Sequence, residues 1–117
     1  MNADALAQQQ TATEEFGLYR CDLPEHAQEW VRFKLTGYPF KLRRELDGAE
    51  NDQAVMLLIL QRVIDWSVHD AEGNAMPAPA ECIARPELLD NIEDPMLYWI
   101  VRSFYSHRAM LNSPRKN

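Results

Sequence analysis

A chain of 117 residues, 46% apolar and 26% charged, is long enough for one domain with its own core, because folding at this length buries roughly two thirds of the unfolded surface. No apolar run approaches the roughly 18 residues of a membrane-spanning helix, and the opening "MNADALAQQQTATEE" lacks the basic and apolar regions of a secretory leader, so a cytoplasmic protein without membrane contact is expected. The net charge of −6 argues against general nucleic-acid binding, which needs lysines and arginines to replace counterions.

The charge is unevenly placed. Residues 1–29 hold one base and six acids, residues 30–50 five bases and three acids, residues 51–100 two bases and nine acids, and residues 101–117 four bases and no acid. The successive net charges are −5, +2, −7 and +4, so basic stretches alternate with acidic ones that they could meet in the same or a neighbouring copy. Cys21 and Cys82 have no Cys-x-x-Cys partner and are expected to be free and structural.

Residues 1–15 are polar, Gln-rich and poor in large apolar side chains, which predicts a disordered or frayed tail. A single globular domain is expected over residues 16–112, with a basic tail at 113–117. "FGLYRCDLP" predicts a short strand or extended segment closed by Pro24. In "EWVRFKL", Val31, Phe33 and Leu35 alternate with Trp30, Arg32 and Lys34, the two-residue period of a half-buried strand. Gly37 marks a turn. "FKLRRELDG" places Leu42 and Leu46 four apart, as in a helix, with Gly48 as its stop.

Asn51 or Asp52 caps the next segment, "DQAVMLLILQRVIDW", which predicts a long helix from Asp52 to Trp66. Met56, Leu57, Leu60, Val63 and Ile64 form one apolar face, and Val55, Leu58, Ile59 and Trp66 a second, so the helix is expected to be buried on both sides, by another element or another subunit. "WSVHD" predicts a short strand and "AEGN" a turn with Gly73 or Asn74 at positive φ. Three prolines in "AMPAPAECIARP" predict an irregular connection with no helix. Pro86 opens a short helix, "PELLDNIE". Asp94 and Pro95 open the last long helix, "PMLYWIVRSFYSHRAML", with an apolar stripe of Leu97, Ile100, Val101, Phe104 and Leu111 and additional aromatic surface at Tyr98, Trp99 and Tyr105. The fold class is thus mainly α with a small β component (α+β): two long helices, one or two shorter ones, short N-terminal strands and a small strand-turn after the central helix.

"VIDWSVHDAEGNAMP" invites chemical readings, and each fails on spacing. With Gly73 as the glycine of a calcium loop, the first ligand position falls on Val68 and the twelfth on Pro79, neither of which ligates through its side chain. His69-Asp70 lacks the further ligands of a metal-dependent phosphohydrolase and reads as a turn or solvated pair. Cys21 and His26 have no orienting group and no oxyanion-binding glycine cluster, and four isolated glycines make no phosphate loop. Asp90 and Asp94 read as helix ends and caps. No catalytic residue, cofactor or metal is expected.

The order "YRCDLP…EWVRFKLTGYPFKLRRELD…VIDWSVHDAEGNAMP…DPMLYWIVRSFY" resembles the small tail assembly chaperones of long-tailed bacteriophages and prophages. The resemblance rests on an aliphatic segment running into Ile64-Asp65-Trp66, the acidic glycine turn Asp70–Gly73 with prolines after it, and the late "W-I-V-R-x-F" helix at Trp99–Phe104, over about Leu18 to Leu111. It implies a non-enzymatic protein of the host cytoplasm that attends the tape-measure protein, a long helical chain that sets tail length, before tail-tube subunits polymerise around it. It also implies that the chain is not retained in the virion, and that some relatives exist in a longer, frameshifted form. A structural or adaptor component of the phage tail and a small regulatory binding protein are the alternatives.

Leu57, Leu60, Ile64, Trp66, Ile100 and Phe104 are the expected core. Leu58, Ile59, Tyr98, Trp99, Arg102 and Tyr105 are the expected interaction surface for client or subunit, because aromatics and Arg dominate binding hot spots; alternatively they complete the monomer core. A homo-oligomer is expected, a ring or an open spiral, since a head-to-tail interface makes either.

Overall fold

The structure, a computed structural model, describes residues 16–112; the expected tails at 1–15 and 113–117 lie outside the described residues. In chain order come β1 (Leu18–Arg20), a 3-10 turn (Pro24–His26), β2 (Trp30–Phe33), α1 (Phe40–Asp47), α2 (Asp52–Leu60), β3 (Val63–Ser67), α3 (Pro79–Ala84), a second 3-10 segment (Pro86–Asn91) and α4 (Asp94–Asn112). The fold is α+β: helices against a three-stranded antiparallel sheet of order β1-β2-β3.

The alternation in β2 holds. Val31 and Phe33 are fully buried while Trp30 and Arg32 are half-buried on the other face. Leu35 breaks the expectation: the strand ends at Phe33, and Leu35 lies beyond it, 48% exposed. Tyr19 of β1 pairs with Val31, and its ring meets Phe33 and His107 edge-on at centroid distances of 5.7 and 5.6 Å. Just before β1, Gly17 has φ 96°, and a Cβ there would lie 2.7 Å from the Phe33 carbonyl oxygen. Only glycine lets the two strands close at this point.

The central segment departs from its expected form. Asn51 caps α2, its Oδ1 accepting from the Ala54 N–H at 2.8 Å, as its residue type predicts. The helix then stops at Leu60, not at Trp66. Arg62 explains the stop: its guanidinium donates to Leu58 O and Gly37 O, each at 3.0 Å. A cation thereby satisfies a terminal carbonyl that a longer helix would have bonded itself. The Arg62 carbonyl accepts from Lys34 N–H at 2.8 Å, so the chain passes directly from helix end into sheet. Val63–Ser67 form β3, paired antiparallel with β2.

That pairing also relocates Ile64. One step on β2, from Arg32 to Phe33, is matched by two on β3, from Asp65 to Val63. The extra residue of such a bulge has no cross-strand partner, and it is Ile64, 53% exposed. Ile64 is therefore not a core residue; Val63 and Trp66, on either side of the bulge, point inward. Arg32 and Asp65 face each other outside the sheet at 3.5 Å.

The two-sided burial of α2 is achieved within one chain. Met56, Ile59 and Leu60 are buried, and Val55, Leu57 and Leu58 pack partly buried against the core. The helix touches α1, α3, the second 3-10 segment and α4. Leu60→Ala should cost about 2–5 kcal/mol, the range for a large-to-small change at a packed site, read as a shift in urea midpoint at constant slope.

A second correction concerns "PAECIA". It is helical, although prolines flank it. Pro79 stands at the first helical turn, where the missing N–H has no acceptor to lose, and Pro86 follows the end of the helix. Cys82 is buried from this helix, and both Cys21 and Cys82 are free. In α4 the buried stripe is Met96, Trp99, Ile100, Ser103, Phe104 and His107. Leu97, Val101 and Leu111, expected on that stripe, flank it partly buried. Among the described residues no helix is long and apolar enough to cross a membrane.

Candidate functional site

Among the described residues, two groups of side chains outside the aromatic packing around His107 are candidates for function. The first is the outer face of α4. Residues four and seven apart on a helix share a face, which aligns Tyr98, Arg102 and Tyr105 over about 10 Å of helix axis. Tyr98 is 55% and Tyr105 42% exposed, and the Arg102 side chain is 62% exposed, 3.9 Å from Asp22. The other expected interaction residues are elsewhere. Trp99 is 3% exposed and Ile59 fully buried, so both belong to the core rather than to the surface, and Leu58 packs partly buried against that core. Trp99 is one position from Tyr98, and a rotation of 100° separates neighbouring helical residues, which turns Trp99 inward and Tyr98 outward.

The second place is a buried polar array that the sequence reading did not single out. Glu29 opens β2 and is 6% exposed. Its Oε2 accepts from His26 Nδ1 at 2.5 Å, and its Oε1 accepts from the His69 backbone N–H at 2.8 Å. On the far side of the ring, His26 Nε2 lies 3.5 Å from Glu93 Oε1. His69 Nδ1 lies 3.5 Å from Glu29 Oε2 and has no hydrogen-bond partner among the described residues. Burial pulls the His26 pKa down, but the bonds and charges of Glu29 and Glu93 outweigh it, and the net direction is up.

A signal for Glu29 was present in the sequence. Positions 29, 31 and 33 share one parity, and Val31 and Phe33 mark that parity as inward. A carboxylate on the inward side of a half-buried strand requires partners, because an unpaired buried charge is costly. Glu93 carries no such mark, since it is 67 residues from His26 and its side chain is half exposed.

His107 and Asp70 are held in structural roles. His107, fully buried, donates from Nε2 to Lys34 O at 2.9 Å and accepts at Nδ1 from the Tyr19 hydroxyl at 3.2 Å. A carbonyl can only accept, which fixes the neutral tautomer with its proton on Nε2. Burial lowers its pKa, and the Lys34 bond opposes this only in part. Asp70 makes the expected turn: its Oδ1 accepts from the Glu72 and Asn74 N–H groups, both at 2.9 Å, and Gly73 takes the positive φ of 85°. Asp90 lies beside two shallow grooves, one walled by Asp70 and Glu72, the other by Asp52 and Asp94 over Met56, Leu89 and Leu97.

Among the described residues, no group of three or more His, Cys, Asp or Glu side chains is arranged to hold a metal ion. No family model, no curated protein and no solved structure matches this chain. The reading of function therefore rests on the geometry and on the motif order in the sequence.

Proposed function

We propose that this chain is a non-enzymatic tail assembly chaperone of a long-tailed phage or prophage, working in the host cytoplasm and holding a tape-measure protein through the outer face of α4. The observation that carries this reading is the Tyr98–Arg102–Tyr105 stripe, exposed along one side of a 19-residue helix whose opposite side is core. A long helical client presents side chains at the same helical spacing, and helix-on-helix docking matches such rows. The chemistry-bearing side chains support a binding protein. Glu29 is already engaged by His26 and His69, and His107 is locked in aromatic packing.

Self-association belongs to the same proposal. On α1, Phe40 is 70% exposed with the Arg44 guanidinium 5.9 Å from its ring centroid, and Lys41 and Arg43 are exposed beside them. This basic, aromatic surface complements the acidic grooves of another copy. Light scattering on the eluting chain should give a mass above that of a monomer, falling as salt is raised, because such contacts act over a Debye length of about 8–10 Å. A strict monomer at high micromolar concentration rejects self-association.

Co-expression with a tape-measure protein tests the function itself. The two chains are expected to co-purify and the tape-measure protein to stay in solution. A folded chain that leaves its co-expressed client aggregated and unbound overturns the reading, and finding the chain in purified particles would make it a component of the tail.

A further inference from the structure

The array around Glu29 joins four segments of the chain through their side chains. His26 comes from the first 3-10 turn, Glu29 from the start of β2, His69 from the segment after β3, and Glu93 from the residue before α4. The carbonyl of Glu93 accepts the Leu97 N–H at 2.9 Å, which makes it part of the first turn of α4. Two residues earlier, the Asn91 carbonyl accepts the Ala71 N–H at 2.9 Å. The two ends of the array therefore reach the His69–Ala75 hairpin and the entry to α4, which are themselves bonded to each other.

The two ring nitrogens of His26 both face carboxylate oxygens, Nδ1 facing Glu29 and Nε2 facing Glu93. A neutral imidazole has one N–H and one bare lone pair. Only the imidazolium, with a proton on each nitrogen, satisfies both carboxylates. In the neutral form the shorter contact, to Glu29, keeps the proton, and a lone pair then faces Glu93.

We propose that Glu93, His26, Glu29 and His69 form a proton-operated latch, which fastens the entry of α4 to the sheet while His26 carries both ring protons and releases that entry when one proton leaves. The charged groups around His26 agree with this design. Glu29 faces it from β2 and Glu93 from the α4 entry, while His69 shares the Glu29 carboxylate from beyond. Asp22 and Arg102, whose charges act on the neighbouring Cys21 thiol together with that of Glu29, lie 3.9 Å from each other. The raised pKa of His26 places release above the ordinary histidine range of roughly 6.5. The latch is closed below that point and opens as pH rises through the folded-state value. It operates whether or not α4 carries a client.

Amide hydrogen exchange on the full-length chain, followed by NMR and corrected for intrinsic rates, reads the latch directly. The Leu97 and Ala71 amides should lose about threefold to tenfold of their protection as His26 titrates, while the Phe33 amide, bonded to Gly17 O in the sheet, keeps its protection. The Glu93→Gln variant separates the latch from general loosening. Its side-chain amide accepts from Nε2–H and donates to a bare Nε2, so the loss of protection should vanish. The His26 ring should also titrate at lower pH, since one of the carboxylates that raises it is gone. Protection of Leu97 and Ala71 that is constant through the His26 titration overturns the proposal, and so does an equal loss in Glu93→Gln.

Discussion

Trp66→Ala should lower the unfolding free energy by about 3–5 kcal/mol, whereas Ile64→Ala, two residues away on the same strand, should change it by no more than about 0.5 kcal/mol. The Trp66 ring is 9% exposed, and its Nε1–H donates to Pro77 O at 2.9 Å. Truncation leaves a cavity between β3 and α3, and it removes a partner from the Pro77 carbonyl, to which the Cys82 thiol also points at 3.8 Å. Ile64 occupies the bulge and is 53% exposed, so its loss removes little buried area. Urea unfolding of both variants decides the matter. Equal destabilisation at the two positions would mean that Ile64 is covered and that the bulge does not turn it outward. A Trp66 variant as stable as the parent would put that ring at the surface.

Histidine ionisation adds opposing slopes to the pH dependence of stability. The folded pKa of His107 is lowered, so the unfolded chain takes up that proton first. The stability from burying His107 neutral is therefore present at higher pH and lost as pH falls below roughly 6.5. The folded pKa of His26 is raised, so its contribution is full below the unfolded value and is lost as pH rises through the folded one. The first group drains stability on the acid side and the second on the alkaline side, which leaves a maximum between them.

Local patterning foretold much of this fold. The alternation from Trp30 to Phe33, the Leu42–Leu46 spacing, the Asn51 cap and the glycine turn at Gly73 are each decided by residues close in sequence. Two elements depart from local patterning because their cause is distant or positional. The end of α2 depends on Arg62 reaching Leu58 O and Gly37 O. Without a glycine or proline, the mostly apolar segment from Val55 to Trp66 fits a continuous helix as well as it fits a helix followed by a strand. A count of prolines argues against the helix at Pro79, but a proline in the first turn costs no hydrogen bond, so position decides. The exposed side of α4 was half legible. Helical spacing groups Tyr98, Arg102 and Tyr105, but an apolar stripe through Leu97 and Val101 leaves open whether Trp99 faces outward or completes the core. Met96, Ser103 and His107 rotate the true buried face, and a buried serine and histidine do not register in a pattern of apolar residues.

The stripe on α4 gives the prediction with the largest consequence for function. Tyr98→Ala, Arg102→Ala and Tyr105→Ala should each fold with a stability change within about 0.5 kcal/mol, as expected for exposed positions. Arg102 and Asp22 are 3.9 Å apart and largely solvated, so their pair contributes little. In the proposed complex with a tape-measure chain, the same side chains would be central and desolvated. Truncating a hot-spot aromatic or Arg there costs about 2–4 kcal/mol, which is roughly thirtyfold to several-hundredfold in affinity. Trp99→Ala serves as the contrast. Its ring is 3% exposed, so it should lose about 3–5 kcal/mol of stability, and any weakened binding would follow from the damaged core. Titration of each folded variant with a tape-measure fragment separates the cases. Parental affinity in all three surface variants would remove the outer face of α4 as the client surface. A loss confined to Tyr98, Arg102 and Tyr105, with the melting curve unchanged, would place the client along that face.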